Sequence, residues 1–241
     1  VNLIQISNDL AIPKETIRRK VNELQDQKIL VREGKTITFN KYGMDFQKPN
    51  DTIELLSSFL EKKSRMLKGH AWFGDHLEKK QIENFIKKYF TVVWLRYFKL
   101  QIPFLLRHRQ CFGDIETWIV WGNIGLAHQY HLMRASEKNL IKENIKLENY
   151  YRNVTEVKLS RGLNASSIAD ISKIPRATVI RKLKWLIKKE ALKRNKNLEY
   201  QMTNKGKLNK IINENFILNQ NYVADFLTDI FDYMKNSNFK Y

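Results

Sequence analysis

Ile174-Pro175-Arg176-Ala177-Thr178-Val179-Ile180-Arg181-Lys182-Leu183 echoes an earlier stretch, Ile12-Pro13-Lys14-Glu15-Thr16-Ile17-Arg18-Arg19-Lys20-Val21. The two lie 162 positions apart, and the same offset pairs Ile6 with Ile168, Leu24 with Leu186 and Leu30 with Leu192. Further on, Asn40-Lys41 matches Asn204-Lys205 at an offset of 164, so two residues are inserted between Leu30 and Asn40, where a hairpin tip tolerates a change of length. A supersecondary unit of about fifty residues therefore occurs twice.

The second copy reads as follows. Ser167 to Ser172 suits a short helix, and Lys173-Ile174-Pro175 makes a turn, because proline disfavours the helical region for the residue before it. Pro175 is tolerated in the first turn of a new helix, whose Val179, Leu183, Leu186 and Ile187 form one apolar stripe. The opposite face presents Arg176, Thr178, Ile180, Arg181 and Lys184. Ala191 to Arg194 and Leu198 to Met202 then flank the polar tip Asn195-Lys196-Asn197, a small β-hairpin. In the first copy the stripe is Ile17, Val21 and Leu24, and Ile29 to Arg32 and Thr36 to Asn40 flank Glu33-Gly34-Lys35.

Charge follows the second copy. The chain carries 43 Lys+Arg against 25 Asp+Glu, a net +18 that favours a polyanionic partner. With 30 Lys, 13 Arg and 22 Asn, an AT-rich coding bias competes as the explanation, but such a bias spreads charge evenly. Residues 1–50, 51–150, 151–210 and 211–241 carry +3, +5, +12 and −2. The concentration in 151–210 marks that segment as the anion-binding face.

The order helix, turn, helix, hairpin, with I-P-x-x-T-[VI]-x-R-K-[VL]-x-x-L and the closing Thr203-Asn204-Lys205-Gly206, resembles the winged helix-turn-helix domains of bacterial transcription regulators over residues 1–43 and 155–207. In that family the second helix of the motif enters the major groove and the hairpin, or wing, touches the backbone or minor groove. The resemblance implies base readout by Arg176 and Thr178, phosphate contacts from Arg181, Lys182 and Lys184, and wing contacts from Lys193, Arg194 and Lys196. Lys14, Thr16, Arg18, Arg19 and Lys35 are the counterparts in the first copy. One departure is that Val1 leaves no room for the helix that normally precedes the motif, so the first copy is incomplete or receives that helix from elsewhere.

The fold class expected is mainly α with small β-hairpin wings, as tandem winged helix domains separated by a helical domain. The domains fall at 1–48, 51–150 (helical), 151–207 and 208–241 (C-terminal helices). Residues 51–150 hold 15 of the 28 aromatics and few glycines, and apolar residues recur at helical spacing over Asp51 to Arg65, Leu77 to Leu100 and Asp114 to Ala135. Trp94, Tyr97, Phe98, Phe104, Trp118 and Trp121 suit a core, a dimer interface or the pocket of a small-molecule effector. Residues 208–234 read as a pair of helices against the middle domain or a second subunit, which makes a homodimer an expectation.

His108-x-x-Cys111 and His128-x-x-His131 could each place two metal ligands on a helical face, but no CxxC pair accompanies them, and core or surface histidines explain them better. No metal and no cofactor are expected. With no Gly-rich phosphate loop, nucleophile elbow or HExxH, catalysis has no support. One cysteine, apolar stretches broken by Arg96, Lys99, Asn123 and His128, and a start at Val1-Asn2-Leu3 lacking both Met and an export pattern point to a trimmed, cytoplasmic protein without a membrane span. The expected function is sequence-specific duplex DNA binding, as a transcription regulator. The alternatives are a plasmid-type replication initiator, against which the long helical insert argues, and a protein-interaction scaffold built on winged helices.

Overall fold

The computed structural model describes residues 1–40, 49–69, 76–136 and 162–237, with the backbone alone for 133–136. Lys41, the side chain of Met133, and the segments 41–48 and 137–161, which hold two of the three expected domain boundaries, lie outside the described residues. Among the described residues the chain is mainly helical, with two small antiparallel strand pairs. It divides into two compact units, meeting in sequence between Thr91 and Val92.

In the first unit, α1 (Leu3–Leu10) is capped by Asn2, whose side chain accepts a hydrogen bond from the Gln5 N–H. Ala11 turns the chain in the left-handed region, at φ 49°, and α2 (Lys14–Asp26) starts after Pro13. β1 (Leu30–Glu33) and β2 (Thr36–Phe39) close a hairpin on the two-residue turn Gly34-Lys35. Leu3, Ile17, Val21 and Ile37 form its core with Ile6, Leu10, Ile12 and Leu30 around them. α3 (Asn50–Leu67) and α4 (Lys79–Lys88) pack together, burying Ile53, Leu56 and Leu60 on one and Ile82, Phe85 and Ile86 on the other.

The second unit holds most of α5 (Phe90–Phe112), then α6 (Ile115–Ser136), α7 (Ala165–Ser172), α8 (Arg176–Lys188), β3 (Leu192–Arg194), β4 (Tyr200–Met202) and α9 (Gly206–Asn236). α6 packs on α7, α8 and β4, and its Val120 and Ile124 join Ile168, Val179, Leu183, Leu186, Leu192 and Met202 in one core. Each such side chain contributes about 1.5–3 kcal/mol of burial. Two spans differ from their periodicity. The helix expected over Leu77 to Leu100 is broken at Tyr89, and α5 then runs on through Pro103. The expected C-terminal pair is one continuous helix, since no Gly or Pro interrupts residues 207–236 and the Asn219-Gln220-Asn221 run is tolerated within it.

The sequence repeat is also a repeat of backbone. Asn164 caps α7 as Asn2 caps α1, Pro13 and Pro175 precede α2 and α8 at nearly identical dihedrals (φ −52°, ψ 135° and 133°), and Ala11 and Lys173 are both left-handed. Lys28 and Glu190, again 162 apart, share φ near +57°. Non-glycine residues adopt that region at a cost of about 1–2 kcal/mol, so its recurrence at matched positions reflects one turn geometry used twice. A third strand residue recurs too. Val1 exchanges backbone hydrogen bonds with Ile37 (2.7 and 3.3 Å), and Leu163 does so with Tyr200 (2.8 and 3.2 Å). Pairing of Arg32 with Ile37 and of Arg194 with Tyr200 puts one extra residue at the second tip, so the other inserted residue lies beyond the strand.

Candidate nucleic-acid interface

The second copy is assembled around α8. Val179, Leu183 and Leu186 are fully buried, whereas Ile187, expected on the same stripe, is 37% exposed. Lys182 takes the fourth inward position and departs from the expected phosphate-binding set. It is buried, bonds the Asp114 carboxylate and lies 3.6 Å from Glu116, at the start of α6. Asp114 also accepts from the Thr117 N–H (2.7 Å) and hydroxyl (2.9 Å), which makes it the cap of that helix. Burial pushes the Asp114 carboxyl up, but Lys182 and Thr117 together outweigh it and hold it below its ordinary value.

The outer face keeps the other cations. Arg176, Arg181 and Lys184 are exposed, and Thr178 and Ile180 are half-buried. Arg176 is oriented by a hydrogen bond from its Nε to the Ser166 hydroxyl at 3.1 Å. On the hairpin, Lys193, Arg194 and Lys196 are exposed. The tip is braced: Glu199 accepts from the Gly162 N–H (3.0 Å) and the Asn195 amide (2.8 Å), and Arg194 lies over the Tyr200 ring at 5.5 Å. Gly162 is obligatory, because a Cβ there would stand 2.4 Å from the Tyr200 carbonyl oxygen. Among the described residues, none of these six exposed cations stands in an ion pair.

In the first copy Lys14, Thr16, Arg18, Arg19 and Lys35 are exposed as well, but the helix holds its own counter-ions. Glu15 binds Arg18 through two oxygens (Nε at 3.1 Å to each), and Glu23 meets Lys20 at 2.5 Å and Arg19 at 3.9 Å. The Arg18 hydrogen bond holds the Glu15 carboxyl below its ordinary value. At the matched positions α8 has Ala177 and Trp185.

Sequence reasoning passed over Ser166, Lys173, Lys188 and Lys189. The three lysines are exposed beside or within α8, and Lys189 lies 5.8 Å over the Trp185 ring. Only the helix boundaries, which the turn at Lys173 and the cap at Lys189 set, bring them into the group.

The aromatics of α5 and α6 divide in two. Trp94, Tyr97 and Phe98 contact one another, whereas Phe104, Trp118 and Trp121 border a cavity whose other wall is α9. His108 and Cys111 line the same cavity, and His128 is buried. No three His, Cys, Asp or Glu side chains converge as a metal site among the described residues. No helix there is long and apolar enough to cross a membrane. Comparison with protein-family models, curated proteins and solved structures finds no match to the chain.

Proposed function

We propose that the chain binds duplex DNA through α8 and the second hairpin, in the manner of a winged helix. The observation that carries this reading is the contrast in counter-ions. Arg176, Arg181, Lys184, Lys193, Arg194 and Lys196 are exposed and, among the described residues, have no acid paired with them, in a fold repeat whose other copy supplies such acids. The element order α6, α7, α8, β3, β4, with Leu163 bridging Tyr200 of β4, supports the winged helix reading.

On DNA, the N-terminal end of α8 brings Arg176 and Thr178 to base edges, and arginine pairs in bidentate fashion with guanine O6 and N7. Lys193, Arg194 and Lys196 take phosphates beside the groove, with Arg181 and Lys184 further along the helix. Resemblance to bacterial regulators extends the proposal to transcriptional control, read as a homodimer on paired half-sites, for which a concentration-dependent mass in solution is the check.

The test is binding of a labelled duplex followed across salt concentration. Each neutralised phosphate contributes a slope of about −0.9 in log affinity against log salt, so five or six contacts give a slope of roughly −5. No duplex binding, or binding indifferent to salt, overturns the proposal.

A further inference from the structure

We propose that the cavity bounded by α5, α6 and α9 is a binding site for a small, neutral aromatic ring that carries an O–H or N–H donor. Its volume is about 190 Å³. Dry apolar voids of about 150 Å³ admit benzene, so one substituted ring fits. Phe104, Phe112, Trp118, Trp121 and Ile212 give it apolar, largely aromatic walls, and Asn215, Asn219 and Gln220 bring amides from α9.

The polar specificity comes from His108, which lines the cavity and is only 8% exposed. Its Nδ1 lies 2.8 Å from the Phe104 carbonyl oxygen, which can only accept, so Nδ1 carries the hydrogen. Nε2 is then the lone-pair end of a neutral imidazole, and it has no partner among the described residues. Burial, with the nearby Arg107, lowers the His108 pKa against the opposing hydrogen bond to Phe104, which keeps that ring neutral. Phe104 and Trp118 fix it, with centroids 4.2 and 4.7 Å away. A ligand O–H or N–H that reaches Nε2 adds a hydrogen bond worth about 0.5–1.5 kcal/mol.

The same walls exclude other classes. Among the described residues no charged side chain lines the cavity, and the adjacent Arg107 is engaged by the Asn219 amide oxygen (2.7 Å) and the Tyr222 ring (4.4 Å). An anionic ligand therefore finds no counter-charge in the walls. Burial pushes the Cys111 thiol up to about 11, so it stays protonated and does not capture a ligand covalently. The site does not depend on DNA binding. Phe112 and Ile212 nevertheless belong to the core that holds Val179, Leu183 and Leu186 of α8.

Titration calorimetry of the full chain with phenol, and with toluene as the shape match lacking the hydroxyl, tests the assignment. Phenol is expected to bind roughly tenfold more tightly than toluene, the worth of one buried hydrogen bond. His108→Phe is expected to make the two bind alike, and His108→Gln, which restores an acceptor, to recover the preference. If His108→Phe fails to fold, the wild-type comparison and His108→Gln decide. Absence of phenol binding at millimolar concentration, equal binding of the two rings by the wild type, or a preference that persists in His108→Phe overturns the proposal.

Discussion

The two helix-turn-helix-hairpin copies share dihedrals, caps, turns and a single-residue pairing onto the hairpin, and they differ in what surrounds their cations. α2 has four basic and three acidic residues, while α8 has five basic and none acidic. Exposed ion pairs of the α2 kind add about 0–1 kcal/mol each to stability, so their larger effect is on the field that an approaching polyanion meets. The second difference lies underneath. Lys20 and Lys182 occupy the same repeat position, yet Lys20 pairs with Glu23 on the surface and Lys182 turns inward to Asp114 and Glu116. One lysine screens an acid on its own helix, and the other pins its helix to α6. A shared backbone thus carries two electrostatic designs, and only one leaves a cationic face.

The largest expected effect separates the faces directly. Replacing Arg176, Arg181 and Lys184 together by Ala is expected to lower duplex affinity about a hundredfold at roughly 0.15 M salt, read by anisotropy. Replacing three cations of α2 in the first copy, Lys14, Arg18 and Arg19, is expected to change it less than about threefold; equal losses would break the comparison. Next, Lys182→Ala is expected to cost about 1–2 kcal/mol in urea unfolding, against less than about 0.5 for Lys20→Ala. The Lys182 value is discounted because Asp114 and Glu116 are half exposed. The Asp114 pKa is depressed on folding, so this contribution is present above its ordinary value of 3.8 and is lost as pH falls below it. A Lys182→Ala deficit that stayed constant down to about pH 2 would rule out the ion pair as its source.

Smaller effects sharpen the same contrast. Lys196→Ala is expected to reduce the salt slope by about one with little change in sequence preference, and Lys35→Ala to leave it unchanged. Removing both acids, Glu15→Ala with Glu23→Ala, frees three cations on α2 and is expected to raise duplex affinity by about two- to threefold. A tenfold gain would mean that the first copy is a binding face held in check.

The local parts of this fold were legible in the sequence because each has a local cause. Pro13 and Pro175 start helices, and the stripes Ile17-Val21 and Val179-Leu183 face inward by period. What was hidden depends on partners far along the chain. Lys182 looked like any exposed lysine, and only the turn at Gly113, which brings Asp114 to it across 68 residues, makes it an anchor. Ile187 was read as core from spacing, but the buried face is rotated toward Lys182. The pairings of Val1 and Leu163 onto the hairpins were invisible because each involves a single residue. Gly162 gave no signal either, and Gly206 was read only as the close of the hairpin, although a Cβ there would come within 2.6 Å of the Lys189 oxygen. Of the candidate site, the cations of α8 and the hairpin were legible from charge density, while Ser166 under Arg176 and the cavity at His108 required the packed helices.

Selection of bound fragments from random duplex DNA at about 0.15 M salt, carried out in parallel with the wild type and Arg176→Ala, tests most directly whether the second copy reads DNA. The expected result is a short enriched motif containing a guanine position that relaxes in Arg176→Ala while the rest of the motif persists. Absence of enrichment with the wild type, or the same motif from both proteins, would contradict base readout by α8.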